Sequence, residues 1–402
     1  MESAIAKVFP PGQLRSPSLF TGFLMPSRFA ILTVLFLLGV LHALIGWLLM
    51  PALSAIPLLQ ALLGLWLLLS FLLIPAGMLG RVIKQQPLSD RLAWAGMLAM
   101  GVFSSLFVGT LLRELFLLVL PWFGLHSDRL ASWSALAVLL IAALSSVIGY
   151  FNARRLAAVI NVDIPIADLP AALQGFTIAQ ISDIHVGPTI KRGYLDAIVN
   201  KVNTLKPDLI AITGDLVDGS VEQLAPHTAP LANLQSRHGA YFVTGNHEYY
   251  SNAPEWVTEV RRLGLTVLMN EHVVVKHQDA SLLVAGVTDF SAHHFDEAQR
   301  SDPQAALAGS PQHVDVKLLL AHQPRSATAA ADAGFDLQLS GHTHGGQFFP
   351  WNLFVPLQQP YTAGLNRLRN LWVYTSRGTG YWGPPKRLFA PSEITRLRLV
   401  LA

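Results

Sequence analysis

The chain contains no cysteine among its 402 residues. That excludes disulfide bonds and thiolate ligands, so any metal chemistry falls to oxygen and imidazole donors. The lack is compatible with a cytoplasmic compartment without requiring one. Charge is also scarce. Asp, Glu, Lys and Arg make up 13% of the residues and 52% are hydrophobic, an unusual balance for a soluble chain of this size. From Phe29 to Gly80 there is no charged side chain at all. The net charge of +3 is too small to suggest a nucleic-acid partner, and no basic run interleaved with aromatics occurs, so none is expected. The N-terminal segment does not fit a secretory signal, and no twin-arginine pair precedes the first apolar run.

The apolar excess lies in residues 29–150. A spanning helix needs about 20 apolar residues, so Phe29 to Gly80 is long enough for two, with a tight turn near Pro51 to Pro57. Leu92 to Leu112 is a third uncharged run, extended by Leu115 to Phe123, and Leu130 to Phe151 is a fourth. A buried bundle in a soluble protein would need polar faces toward water, and these runs offer none. Lys7, Arg15 and Arg28 precede the first span, Arg81, Lys84 and Arg91 lie between the second and third, and Arg154 and Arg155 follow the fourth. The opposite turns hold no charge in one case and Asp128 with Arg129 in the other. The positive-inside rule then places the N-terminus and the second half of the chain in the cytoplasm. The expectation is a multi-pass protein of the cell inner membrane. An odd number of spans would reverse that orientation, and the long third segment is where the count could fail. Arg113 and Glu114 interrupt this segment. They are expected to snorkel toward the outer interface, the alternative being an intramembrane polar site. His42 is expected to be a packing residue.

The second half carries five short motifs: Asp183-Ile184-His185, Gly214-Asp215-Leu216-Val217-Asp218, Gly245-Asn246-His247-Glu248, Ala321-His322-Gln323-Pro324 and Gly341-His342-Thr343-His344-Gly345-Gly346-Gln347. They follow the apolar runs Phe176 to Ile181, Asp208 to Ile212, Ala240 to Val243, Lys317 to Ala321 and Phe335 to Leu339. The length and β-branched content of these runs predict buried strands. Between the first two, Leu195, Ile198, Val199, Val202 and Leu205 share a helical face that Pro207 terminates, giving a βαβ unit. In layered α/β folds ligands collect beyond the carboxyl ends of the strands, where these motifs fall. The Asp, His and Asn side chains delivered there form an oxygen and nitrogen set suited to a two-metal hydrolytic centre. Neighbouring cations repel, so an anion must bridge them, and Asp215 can offer one oxygen to each. Asp183, His185 and His344 would complete one site, and Asn246, His322 and His342 the other. His247, beside Asn246, could give a leaving alkoxide its proton, with Asp218 or the adjacent Glu248 holding the ring.

This motif set resembles the calcineurin-like metallophosphoesterase superfamily, whose pattern is Asp-x-His, Gly-Asp-x-x-Asp, Gly-Asn-His-Asp/Glu, a lone His and Gly-His-x-His. Every element is present in order, from about Phe176 to the C-terminus. The resemblance implies a β-sandwich flanked by helices, two divalent metal ions (manganese, iron or zinc) and hydrolysis of phosphate esters or anhydrides. It places the metal ligands on Asp183, His185, Asp215, Asn246, His322, His342 and His344. It also places the proton donor on His247 and its partner on Asp218. The extended motif ending at Gln347, with Trp382-Gly383-Pro384-Pro385, is similar to a bacterial membrane-associated branch. That branch includes envelope phosphodiesterases and pyrophosphatases acting on lipid A precursors.

The expected architecture is an N-terminal cytoplasmic segment 1–28, an all-α transmembrane bundle of four helices over 29–151, a linker 152–174 marked by Pro165 and Pro170, and an α/β metallophosphoesterase domain over 175–402. Phe348, Phe349, Trp351, Phe354 and Tyr361, with Tyr381, Trp382, Pro384, Lys386 and Arg387, have two readings. They rim the metals for a substrate with acyl chains and an anionic head, or they cover a sheet edge and fill core. Thr288 to His313, with His293 and His294, reads as a solvated insertion. The leading expectation is hydrolysis of a lipid-linked phosphodiester or pyrophosphate at the cytoplasmic face. The alternatives are an anchored phosphodiesterase of soluble esters and a membrane sensor with a regulatory metal domain.

Overall fold

The computed structural model describes residues 28–80, 83, 85–124 and 128–402. Lys7, Arg15, Arg81 and Lys84, used above for orientation, lie outside the described residues. Four helices come first: α1 (Arg28–Leu49), α2 (Pro57–Leu79), α3 (Leu88–Val119) and α4 (Asp128–Arg154). Each is long and apolar enough to cross a membrane. A short 3₁₀ turn at Pro51–Leu53 joins α1 to α2, whose Pro57 takes the first helical position, where a missing N–H costs nothing. Inside the bundle Ile45, Leu49, Leu63, Leu67, Leu106 and Val138 pack together, while Phe36, Leu68, Leu118 and Ile141 face outward. The tightest contact is between glycines. A Cβ on Gly96 would lie 2.6 Å from the Gly77 Cα, so α2 and α3 meet backbone to backbone, as small residues allow in membranes.

His42 is a packing residue. It stacks on Phe103 at 4.3 Å between ring centroids and bonds Ser70 Oγ at 2.9 Å. Arg113 departs from expectation. It is 7% exposed and turns inward, donating to Leu48 O (3.3 Å), Ala131 O (3.0 Å) and Ser134 Oγ (3.0 Å) while pairing with Glu114. Carbonyls in the last turn of α1 and the first turn of α4 lie closer to the guanidinium than the water a snorkelling chain would seek.

The segment expected as a linker holds the first strand. β1 (Ala158–Ile166) pairs in parallel with the last strand, β12 (Glu393–Leu401), and as an edge strand it tolerates Pro165. The other strands are β2 (Thr177–Ile181), β3 (Leu209–Ile212), β4 (Ala240–Phe242), β5 (Thr266–Val267), β6 (Glu271–His277), β7 (Ala280–Gly286), β8 (Val316–Leu320), β9 (Leu337–Ser340), β10 (Gly364–Leu368) and β11 (Leu371–Thr375). They form two six-stranded sheets, ordered β1-β12-β2-β3-β4-β5 and β10-β11-β9-β8-β7-β6. Ile178, Leu209, Val284, Leu318, Leu337 and Leu397 fill the space between the sheets. Helix α5 (Arg192–Thr204) lays Leu195, Ile198, Val199 and Val202 on the outer face of the first sheet. Strands β2, β3 and β9 are buried along their whole length, and β8 except at Lys317, which is why they read as mainly apolar runs. The sandwich flanked by helices thus brings the carboxyl ends of β2, β3, β4, β8 and β9 together.

The contact between α2 and α3 has a direct test. Gly96→Val should overpack it and cost about 1–3 kcal/mol, read as a lower midpoint of thermal unfolding in detergent.

Candidate metal centre

Just past the strand ends the backbone is bent into the left-handed region at side chains that rarely adopt it. Asp183 (φ 53°), His185 (φ 55°), Asp215 (φ 51°), His342 (φ 69°) and His344 (φ 51°) all lie there. Such strain costs on the order of 1–3 kcal/mol per residue and persists only where the surroundings enforce it. Here tight glycines enforce it: a Cβ on Gly341 would land on Ser182 and on the Asp183 carboxylate.

The bends bring the expected residues together. His185 Nε2 lies 3.0 Å from His344 Nε2, which is 3.5 Å from Asp183 Oδ1. His322 Nε2 lies 3.2 Å from His342 Nδ1 and 3.2 Å from Asp215 Oδ2. The same Asp215 oxygen is 3.9 Å from His185 Nε2 and 3.9 Å from His247 Nε2, so it stands between the two groups. Asp183, His185 and His344 form one set with ligand atoms within 4.8 Å of one another; Asp215, His322 and His342 form a second. Asn246 sits at the start of a short helix, Asn246–Tyr250, beside them.

Three observations fit divalent cations. Facing ring nitrogens about 3 Å apart match two ligand atoms at right angles on one cation with bonds of about 2.1 Å. Asn246 Oδ1 is buried and, among the described residues, has no hydrogen-bond partner, an orphan that a cation would satisfy. The charge balance of the pocket points the same way. Burial pulls His322 toward the neutral form, yet the charge and hydrogen bond of Asp215, with Asp183 behind, hold its pKa well above the usual value. Two buried carboxylates therefore draw positive charge into the pocket. Burial, with the charge of His322, takes His342 down to about 3, and burial, His185 and Arg387 hold His344 well below the ordinary range. Both shifts favour the neutral ring, the form that binds a metal.

His247 stands slightly apart. Its Nδ1 is 2.5 Å from Asp218 Oδ1, and its ring lies against Trp382 (5.4 Å) and Tyr250 (5.1 Å). Burial opposes its proton, but the charge of Asp215 and the Asp218 hydrogen bond raise its pKa to about 9. Asp218 is shared, since it also meets His185 Nδ1 at 3.1 Å. Glu248, the other candidate partner for His247, does something else. Its carboxylate accepts from the backbone N–H groups of Gly245 (2.6 Å), Leu216 (2.8 Å) and Asp215 (3.0 Å), tying two motif loops together.

Other residues escaped the sequence reading. Gln347 donates to Trp382 O (2.8 Å) and Pro384 O (3.1 Å) and accepts from Trp382 N (2.9 Å), joining two segments that the sequence flagged separately. Arg387 reaches His344, with Nη2 3.1 Å from its Nδ1. Asp289, fully buried in the segment expected to be solvated, accepts from Gln323 at 3.0 Å; His293 and His294 stay outside the cluster, with His293 Nδ1 meeting Phe290 O. No local signal in the sequence marks these contacts, because each depends on a loop tens of residues away in the chain.

Glu248→Ala should leave three buried N–H groups without an acceptor, each worth about 1–3 kcal/mol. The expected result is a markedly lower unfolding midpoint together with weaker metal retention on dialysis.

Comparison with known proteins agrees with this geometry. A profile described as Calcineurin-like phosphoesterase matches residues 176–346. A transmembrane protein with metallophosphoesterase domain from Bos taurus is 42% identical over 287 residues, 68% of this chain and 64% of the relative. A metallophosphoesterase of Helicobacter pylori is 40% identical over 223 residues, covering 55% and 58% of the two chains. Another from Aquifex aeolicus is 33% identical over 222 residues, 54% of this chain and 82% of the relative. The chain thus spans a little under two thirds of the length of the bovine relative. These relatives include an animal protein as well as bacterial ones, so they support the superfamily and not the narrower bacterial envelope branch. The chain belongs to the calcineurin-like phosphoesterase family.

Proposed function

We propose that the chain is a membrane-anchored, metal-dependent phosphoester hydrolase with two divalent cations. Its substrate would be a lipid-linked phosphodiester or pyrophosphate at the cytoplasmic face of the inner membrane. Asp183, His185 and His344 would hold one cation and Asn246, His322 and His342 the other, with the Asp215 carboxylate within reach of both sets. Manganese, iron and zinc all suit these donors. When bound, the cations supply positive charge for the phosphoryl oxygens and make water acidic enough to attack phosphorus. His247 gives a proton from Nε2 to the departing oxygen, while Asp218 keeps the ring turned by holding Nδ1. Trp382 and Tyr250 wall this proton path and limit water there.

The observation that carries the lipid reading is an aromatic rim continuous with the membrane helices. Trp382 (47% exposed) touches His247, and Phe349, Trp351, Phe354, Leu357 (80% exposed) and Phe389 (83% exposed) lie on the loops beside it. Trp351 Nε1 donates to Ser104 Oγ of α3 at 3.2 Å. Ser104 is about 22 Å along α3 from its Val119 end, so if Val119 meets one boundary of a core about 30 Å thick, Ser104 is within about 8 Å of the other. A rim near that boundary would meet the headgroup region, where tryptophan and phenylalanine partition well. Among the described residues Arg28, Arg91, Arg154 and Arg155 sit at the helix ends on this side, which supports a cytoplasmic catalytic domain.

The test is manganese-dependent hydrolysis by detergent-purified full-length protein, offered a nucleotide-linked diacyl sugar pyrophosphate and a soluble aryl phosphodiester. Preference for the lipid, abolished by His344→Ala, is expected; turnover of the soluble ester alone would reduce the helices to an anchor. His247→Ala should lower kcat by about 10²–10⁴ while both metals stay bound. Leu357→Glu with Phe389→Glu should raise KM for the lipid and leave the soluble ester unaffected.

A further inference from the structure

Two prolines and two cations, Pro384-Pro385-Lys386-Arg387, form a strap between the metal centre and the membrane helices. Lys386 is 3% exposed and Arg387 1%. Buried charges of this kind need partners, and these find them in opposite directions. The Lys386 ammonium leaves its own domain and donates to Gly101 O (3.2 Å) and Ser105 Oγ on α3 and to Ser146 Oγ (3.3 Å) on α4. Its three protons meet three oxygens, and the face of Phe348 covers it at 5.4 Å. Among the described residues no carboxylate pairs with it.

Arg387 is held by α4 through its backbone. Its N–H donates to Gly149 O (2.9 Å), and its carbonyl accepts from Asn152 Nδ2 (3.2 Å). A Cβ on Gly149 would lie 2.6 Å from Lys386 Cγ, so only glycine lets the strap lie on the helix. The guanidinium points back to the centre. It donates to Gly380 O (2.6 and 3.0 Å), Ala390 O (2.9 Å) and His344 O (3.3 Å), and its Nη2 lies 3.1 Å from His344 Nδ1. One side chain thus grips the backbone of His344 and lies against its ring, while its own backbone is fastened to a membrane helix.

We propose that Lys386 and Arg387 are positioning residues that make α3 and α4 part of the metal-centre scaffold. The helix pair fixes the strap, and the strap fixes His344 through its carbonyl. A change in the spacing of α3 and α4 then shifts the Lys386 seat, and with it one metal ligand. This rests on the metal-binding reading of the centre and is independent of the lipid substrate.

Manganese binding to the full-length protein in nanodiscs tests it, followed by electron paramagnetic resonance as both free-ion signal and bound line shape. Lys386→Met removes only the ammonium, Gly149→Leu acts only from the helix, and Arg387→Met removes the grip. Each should weaken manganese binding about tenfold and alter the bound spectrum, as loss of an outer partner of a ligand does. With the aryl phosphodiester, kcat should fall while KM stays within about twofold. Lys191→Ala, which breaks the 3.0 Å docking pair with Asp90 away from the strap, should leave binding as in the wild type. Wild-type affinity and spectrum in both Lys386→Met and Arg387→Met would overturn the proposal. So would an equal loss in Lys191→Ala, which would mean that general docking matters and the strap does not. Should Gly149→Leu fail to fold, the Lys386→Met result decides.

Discussion

Two fully buried carboxylates facing one another across a nest of imidazoles set the terms for the rest of the molecule. Asp183 and Asp215 cannot stay ionised in a dry pocket without positive charge beside them. Burial, and then the neighbouring charge of Asp215, push the Asp183 pKa up, whereas the surrounding histidines hold Asp215 well below the usual range against its burial. The strained backbone at five polar residues is stable only because glycines such as Gly341 and the Glu248 carboxylate fix the loops around it. The two sheets supply the platform. Their strands end together, so a side chain delivered by one meets those delivered by the others within a few ångströms.

The second constraint is the bilayer. A phosphoesterase domain could be hung from any apolar helix, but this one is fused to its helices at several points. Asp90 pairs with Lys191, Arg154 Nη1 donates to Thr189 O and to the Tyr381 hydroxyl, and Trp351 donates to Ser104. On α3 and α4, Ser104, Ser105 and Ser146 face this interface and Ser145 bonds Ser105, where polar groups cost least in a membrane. The same surface holds the aromatic rim beside His247. The anchoring and the shape of the mouth therefore come from one set of contacts.

Much of this was legible in the sequence, for definable reasons. Strands buried on both faces read as mainly apolar runs, and uncharged stretches such as Phe29 to Gly80 read as spans. The residues that cluster at the strand ends were legible because each follows such a run. What stayed hidden depends on partners remote in the chain. β1 contains Asn161, Asp163 and Pro165 and reads as a linker; its strand character comes from β12, more than two hundred residues later, with Arg398 pairing to Asp163. Glu248 reads as the alternative to Asp218 as a partner for His247, since sequence shows adjacency and not that its carboxylate turns toward backbone N–H groups. Arg113 was expected to seek water, because the carbonyls that capture it belong to α1 and α4. No local signal marks the left-handed φ values at Asp183 or His344, which follow from close packing of three loops.

The central claim is that these residues hold a pair of metal ions, and counting metal per chain tests it most directly. Full-length protein, loaded with manganese and freed of loose ion by gel filtration, would be analysed for metal and protein in the same fractions. Two ions per chain, falling to one in His342→Ala, is the expected result. A single ion in the wild type, or none, would contradict the paired centre.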